Sequence, residues 1–179
     1  KNGLEPLAKE IMEFPYKGNI EDMAKKYLNE NVPNIEKAIE GAKFIIAENV
    51  SDDAKIRKSI RDNTYNFGII KSKIKKNAID ENKVYDMYYD YQERVKFIKP
   101  HRILALNRGE NEGVLSVSID NDKDRTIEYI NKRVIKNDKS FVVDTVKEAI
   151  EDSYKRLIEP SIEREIRSEL KEKAEEVAI

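Results

Sequence analysis

Between Pro100 and Asp120 the chain changes its period, and that change restricts the fold more than any other feature. His101-Arg102-Ile103-Leu104-Ala105-Leu106-Asn107-Arg108 is a compact apolar run bracketed by Pro100 and Gly109. Beyond Gly113, Val114, Ser116 and Ser118 alternate with Leu115, Val117 and Ile119. Proline suits the first turn of a helix, where its missing N–H would have no acceptor, and glycine suits the end. The run 101–108 therefore reads as a short helix stopped at Gly109, with a strand as the alternative. The alternation over 113–120 reads as a strand. A strand cannot satisfy its backbone alone, so a second extended segment must exist. The best candidate is 68–76, which alternates imperfectly and reads as a strand or a frayed helix end.

Elsewhere helical spacing dominates. A first helix is expected over 6–14, with Leu7, Ile11 and Phe14 on one face and Pro6 in its first turn. Asn19 caps a second short helix, Pro33-Asn34 opens a third bearing Ile35, Ala38, Ile39, Ala42, Ile45 and Ile46, and Ser51 or Asp52 opens a fourth bearing Ile56, Ile60 and Phe67. Asp80 caps a tyrosine-rich helix carrying Tyr85, Tyr88, Tyr89 and Tyr91. Helices follow over 125–134 and 141–157, and Pro160 starts the last one. There Ile162, Ile166, Leu170, Ala174 and Ala178 recur every four residues, so the apolar stripe winds by about 40° per step and must meet different neighbours along its length. Glu163 with Arg167 and Glu169 with Lys173 are spaced for support on the exposed side. The expected class is mainly α: a multihelical domain with a small β-hairpin or short strand pair, ending in a long helix. It reads as one region, 1–179, with antiparallel helices over 1–67, helix mixed with short strands over 68–135, and long helices over 141–179.

The side-chain inventory is poor in chemistry. With no cysteine and one histidine, thiolate sites are excluded and conventional metal sites reduce to carboxylate clusters. Asn121-Asp122-Lys123-Asp124 lacks the glycine and terminal glutamate of a calcium loop. Gly109 and Gly113 flank Glu110 and Glu112, whose charges would repel a phosphate. His101 has no evident nucleophile or orienting acid nearby in sequence, and reads as a structural residue. The expectation is a protein that is not an enzyme and takes no cofactor. No apolar run approaches the length of a membrane span, and the lack of cysteine suits a reducing, cytoplasmic compartment. The opening Lys1-Asn2-Gly3-Leu4-Glu5-Pro6 has neither an initiator methionine nor a signal-peptide core, as expected of a piece of a longer protein.

Charge is plentiful but balanced, with 34 basic against 35 acidic residues. Its distribution is uneven. Residues 21–53 hold eight acids against four lysines, whereas 66–79 hold four lysines and 94–108 five basic residues, with no acid in either. If those two segments converge, Lys71, Lys73, Lys75, Arg102 and Arg108 are the candidate nucleic-acid-binding residues. The tyrosines at 85, 88 and 89 share a face that is suited to stacking bases, but packing against a core edge is the commoner use.

Several stretches resemble the Tex family of bacterial transcription accessory proteins. They are Gly3-Leu4-Glu5-Pro6-Leu7-Ala8, Ile39-Glu40-Gly41-Ala42-Lys43-Phe44-Ile45-Ile46-Ala47-Glu48, Tyr88-Tyr89-Asp90-Tyr91-Gln92-Glu93, the run from His101 through Leu115, and the run from Ala149 to Glu165. The likeness covers essentially the whole chain in order. It implies a role in transcription, with RNA or DNA bound by the full-length protein chiefly through an S1 domain and other modules lying outside these 179 residues, and the RNA polymerase machinery as a plausible partner. Three readings stay open: a helical scaffold, a weak nucleic-acid module in its own right, and a docking platform for polymerase-associated proteins.

Overall fold

A computed structural model describes residues 2–178. The chain divides into two compact units, each assembled from separate stretches: Lys1–Arg57 with Asp124–Glu159, and Lys58–Lys123 with Pro160–Ile179. Helices make up 64% of the structure, which settles the mainly-α class.

The first unit is built on α3 (Ile35–Ser51). Its N-terminus is capped as the sequence predicts: the Asn34 side chain accepts the Lys37 N–H at 2.9 Å, satisfying a donor with no partner inside the helix. Asn19 does the same for α2 (Ile20–Lys25), accepting the Asp22 N–H at 2.8 Å. α1 (Glu5–Ile11) and α2 both pack on α3. Ala38, Ala42, Ile46, Ala47 and Val50 form the buried stripe of α3, and its three alanines let neighbouring helices approach closely. α1 ends before Phe14, where the expected helix does not. Phe14 precedes Pro15, which disfavours the right-handed helical conformation, and it takes φ +52 while its ring stays buried. The first turn of α4 (Ala54–Phe67), most of α6 (Lys123–Val134) and α7 (Val143–Asp152) complete the unit. α7 packs on α3, and the buried Ser153 hydroxyl donates to the Ala47 carbonyl at 2.6 Å.

Past α7 the chain does not break at Pro160. A π-helical turn, Ser153–Ile158, leads directly into α8 (Glu159–Ala178). Proline removes one helical hydrogen bond and crowds the carbonyl four residues back, and the widened turn lies where that crowding would fall. The two expected helices thus form one run of 36 residues.

The second unit holds a three-stranded antiparallel sheet in the order β2-β1-β3, with β1 (Ile69–Ile74) at its centre. β3 (Leu115–Asp120) is the expected partner, in a register that sets Lys71 opposite Ser118. β2 (Asp90–Arg94) was not expected. Its residues belong to the stretch read as a tyrosine helix, which instead makes two short 3-10 turns before extending. Positive φ at Asn82 and Lys83 prevents a continuous helix. Asp80 gathers the turns by accepting the N–H groups of Val84 and Tyr85 and the Tyr89 hydroxyl.

Ile70 and Ser72 on the inner face of β1 meet Leu115, Val117 and Ile119, all buried. α5 (Pro100–Asn111) packs on β3. It starts at Pro100 as expected but runs past Gly109. A β-carbon at Gly109 would sit 2.5 Å from Leu115 Cδ1, so that glycine permits the close approach of α5 to β3 rather than ending the helix. The turn comes at Gly113, with φ +78.

α8 lies against the open edge of the sheet. Ile162, Ile166, Leu170 and Ala174 are buried along its winding stripe, and Val177 beyond them is exposed. Glu163 accepts the Ile119 N–H, and Arg167 approaches the Val117 carbonyl at 3.5 Å, so the helix occupies backbone groups that β1 leaves unused. Arg167 also turns to Glu110 and Asn107, while Glu169 and Lys173 form the intrahelical pair predicted for them, at 3.1 Å. No helix among the described residues is long and apolar enough to cross a membrane.

Candidate nucleic-acid interface

Strand alternation places Lys71 and Lys73 on the face of the sheet away from Ile70 and Ser72. Lys71 spends its charge locally, with Nζ 2.7 Å from the Asp120 carboxylate. Lys73 is exposed beside its cross-strand neighbours Asp90 and Ser116. Lys75, just past β1, is exposed, and its backbone N–H donates to the Val114 carbonyl at 2.8 Å.

Arg102 points elsewhere. Its guanidinium lies 5.6 Å from the centre of the Tyr91 ring and donates to the Tyr91 hydroxyl at 3.4 Å. Tyr91 pairs with Ser72 across the sheet and so shares the inner face. Arg108 is exposed in the last turn of α5, near the Tyr85 phenol. Burial and a hydrogen bond with Glu112 raise that phenol's pKa, and the Arg108 charge acts against them. The five candidate residues therefore divide between faces and do not make one surface.

The tyrosines pack. Tyr85 and Tyr88 are buried, and Tyr88 meets Tyr91 edge-on with centroids 5.2 Å apart. The hydrogen bond from Tyr89 to Asp80, with burial, pushes the Tyr89 phenol up to about 12. Burial and a hydrogen bond with Glu93 do the same to Tyr91, also up to about 12. His101 is exposed in the first turn of α5. The described residues contain no grouping of three acids or histidines able to hold a metal ion.

The two acid-free segments nevertheless meet, at a corner that the sequence did not single out. Ile69 pairs with Arg94, and the Val95 N–H donates to the Gly68 carbonyl at 3.0 Å. The Arg94 guanidinium donates to the Asn66 carbonyl at 2.6 Å and approaches two phenyl rings, 5.8 Å from the centre of Phe67 and 5.0 Å from that of Phe97. Lys96 Nζ stands 6.0 Å from the Phe97 ring. Phe67, expected in the apolar stripe of the fourth helix, is 65% exposed, and Phe97 is 56% exposed. Phe67 is the last residue of α4, where the chain passes through Gly68 directly into β1. The available signal was a phenylalanine inside each of the two acid-free stretches.

A family model described as Tex central region-like matches residues 17–179. The chain belongs to this family. Among relatives of this Tex region, the protein YdcI of Bacillus subtilis (strain 168) is 50% identical over 99% of the chain. The transcriptional accessory protein Tex of Neisseria gonorrhoeae is 33% identical over 70% of it, and the protein tex of Bordetella pertussis 29% over 75%. The chain spans 25% of the Bacillus relative's length, 16% of the gonococcal protein and 17% of the Bordetella one, so the Tex region is a minor part of each.

Proposed function

We propose that this region is a non-enzymatic helical scaffold within a cytoplasmic transcription accessory factor. In that reading it holds other domains in position, those domains supply most of the contact with RNA or DNA, and the whole protein acts alongside the RNA polymerase machinery. The observation that carries the proposal is membership of the Tex central region-like family, one of whose relatives bears the name transcriptional accessory protein. The architecture supports it. α8 is tied to β3 through backbone and charged side chains, a construction suited to transmitting position rather than to enclosing a substrate.

The test uses the longer protein that carries this region, in a transcription assay with purified polymerase. Replacing the region by a flexible linker should abolish the protein's effect on transcription, whereas His101→Ala should leave it unchanged. An unchanged effect with the linker overturns the scaffold. Loss of the effect in a folded His101→Ala protein overturns the non-enzymatic reading.

A further inference from the structure

Two phenylalanine rings left mostly in water, both beside one guanidinium, form a patch, unlike the single exposed apolar side chains that any surface carries. What surrounds them decides what they fit. Neither Arg94 nor Lys96 has a carboxylate partner among the described residues, and neither does Lys73 further along the sheet. Two acids on the strands are already placed. Asp120 pairs with Lys71, and Asp90 lies across from Lys73 at the far end of the strands. The Phe67–Arg94–Phe97 corner thus combines exposed rings with two cations, within stretches of sequence, 66–79 and 94–108, that hold no acid. An apolar protein partner would have to bury these cations unpaired, at a large desolvation cost. The complementary ligand offers flat π faces together with regularly spaced negative charge.

We propose that Phe67, Arg94, Lys96 and Phe97 form a stacking platform for single-stranded nucleic acid, with Lys73 extending its cationic track along β1. Unpaired bases stack on the two rings. The Arg94 plane, held by the Asn66 carbonyl, stacks with a base or meets a phosphate, and Lys96 neutralises the backbone. A duplex keeps its base faces inside the helix and cannot use the rings. Every base has a π face, so the platform is indifferent to sequence. It is defined by side-chain geometry within one compact unit and does not depend on the scaffold role, which survives if the platform fails.

The experiment is fluorescence anisotropy of the chain with labelled oligouridine and oligothymidine of about 15 nucleotides, over a salt series. Both strands should bind, and duplex of the same length more weakly. Phe67→Ala and Phe97→Ala should each weaken binding by roughly 5- to 150-fold. Phe67→Tyr and Phe97→Tyr, which keep an aromatic face, should restore it. Arg94→Ala and Lys96→Ala should each flatten the salt dependence by about 0.7 in log–log slope. Arg102→Ala and Arg108→Ala, away from the corner, should bind as the parent does. Circular dichroism of each variant confirms the fold. The proposal is overturned if the single strands do not bind at low salt, or if duplex binds as well as single strand. It is equally overturned if the alanine variants of the two phenylalanines lose less than twofold, if tyrosine fails to restore binding, or if Arg102→Ala weakens it as much as Phe67→Ala does.

Discussion

Replacing Arg167 with alanine should loosen α8 from the sheet it covers. The guanidinium makes a fork with Glu110 at 2.7 and 3.2 Å, donates to Asn107 Oδ1 at 2.8 Å and reaches the Val117 carbonyl at 3.5 Å. Its side chain is 19% exposed and that of Glu110 is 36% exposed. A hydrogen bond to a charged group contributes about 1.5–3 kcal/mol, and breaking a fully buried ion pair costs about 3–5 kcal/mol. The bonds here act as a unit, and water can reach Glu110 once the arginine is gone. The expected loss is therefore about 2–3 kcal/mol, and no larger. In urea unfolding followed by circular dichroism, that lowers the midpoint by about 1 M at an unchanged slope. A cycle with Glu110→Ala should return a coupling of about 1–2 kcal/mol. Arg167→Lys should recover less than half of the loss, because an ammonium keeps the charge without the planar fork. A loss below about 0.5 kcal/mol with negligible coupling would place the pair among ordinary surface ion pairs and refute the account of α8 as a clasp on β3.

Gly109→Ala should destabilise the chain by about 1–3 kcal/mol, measured by the same unfolding, because its new methyl would lie 2.5 Å from Leu115 Cδ1 and 3.2 Å from the Tyr85 ring. Tyr89 should titrate near pH 12, its phenol held protonated by the hydrogen bond with Asp80 and by burial, as read by absorbance at high pH. Since its folded pKa is raised above the ordinary 10.0, its contribution to stability is complete below pH 10 and fades as pH climbs towards 12. Asp80→Asn should bring the Tyr89 midpoint back towards 10, and an unmoved midpoint would sever the link. Burial works to raise the Asp80 carboxyl, but bonds from the Tyr85 N–H, the Tyr89 hydroxyl and the Val84 N–H hold it low. Its share of stability is thus present above the ordinary carboxylate range and lost only as pH falls through its depressed value.

Local signals made much of the fold legible from sequence. Asn19 and Asn34 announce α2 and α3 because a short polar side chain before an apolar-periodic run can take up an orphan N–H whatever lies around it. The alternation after Gly113 announces β3, and the need to satisfy its backbone points to β1. The tyrosine stretch misled for a physical reason. Tyr85, Tyr88 and Tyr89 have helical spacing, but Asp80 closes the backbone into tight turns before Asp90 to Arg94 can pair with β1.

The candidate site was half legible. Composition found the two acid-free segments, since absence of charge of one sign is a property of the chain alone. Which residues of those segments meet depends on strand register and on the passage from α4 into β1, and these brought Phe67, Arg94, Lys96 and Phe97 to one corner while sending Lys71 to Asp120 and Arg102 to Tyr91. By itself the sequence determined the helical class, the caps, the strand that needed a partner and the charge segregation, all of which act over a few neighbouring residues. Only the tertiary structure decided the third strand, the continuation through Pro160, the role of Gly109 and the composition of the exposed corner. The third strand, the role of Gly109 and the exposed corner are set by contacts with residues distant in sequence, and the helix runs on through Pro160 by widening one turn, which no apolar pattern records.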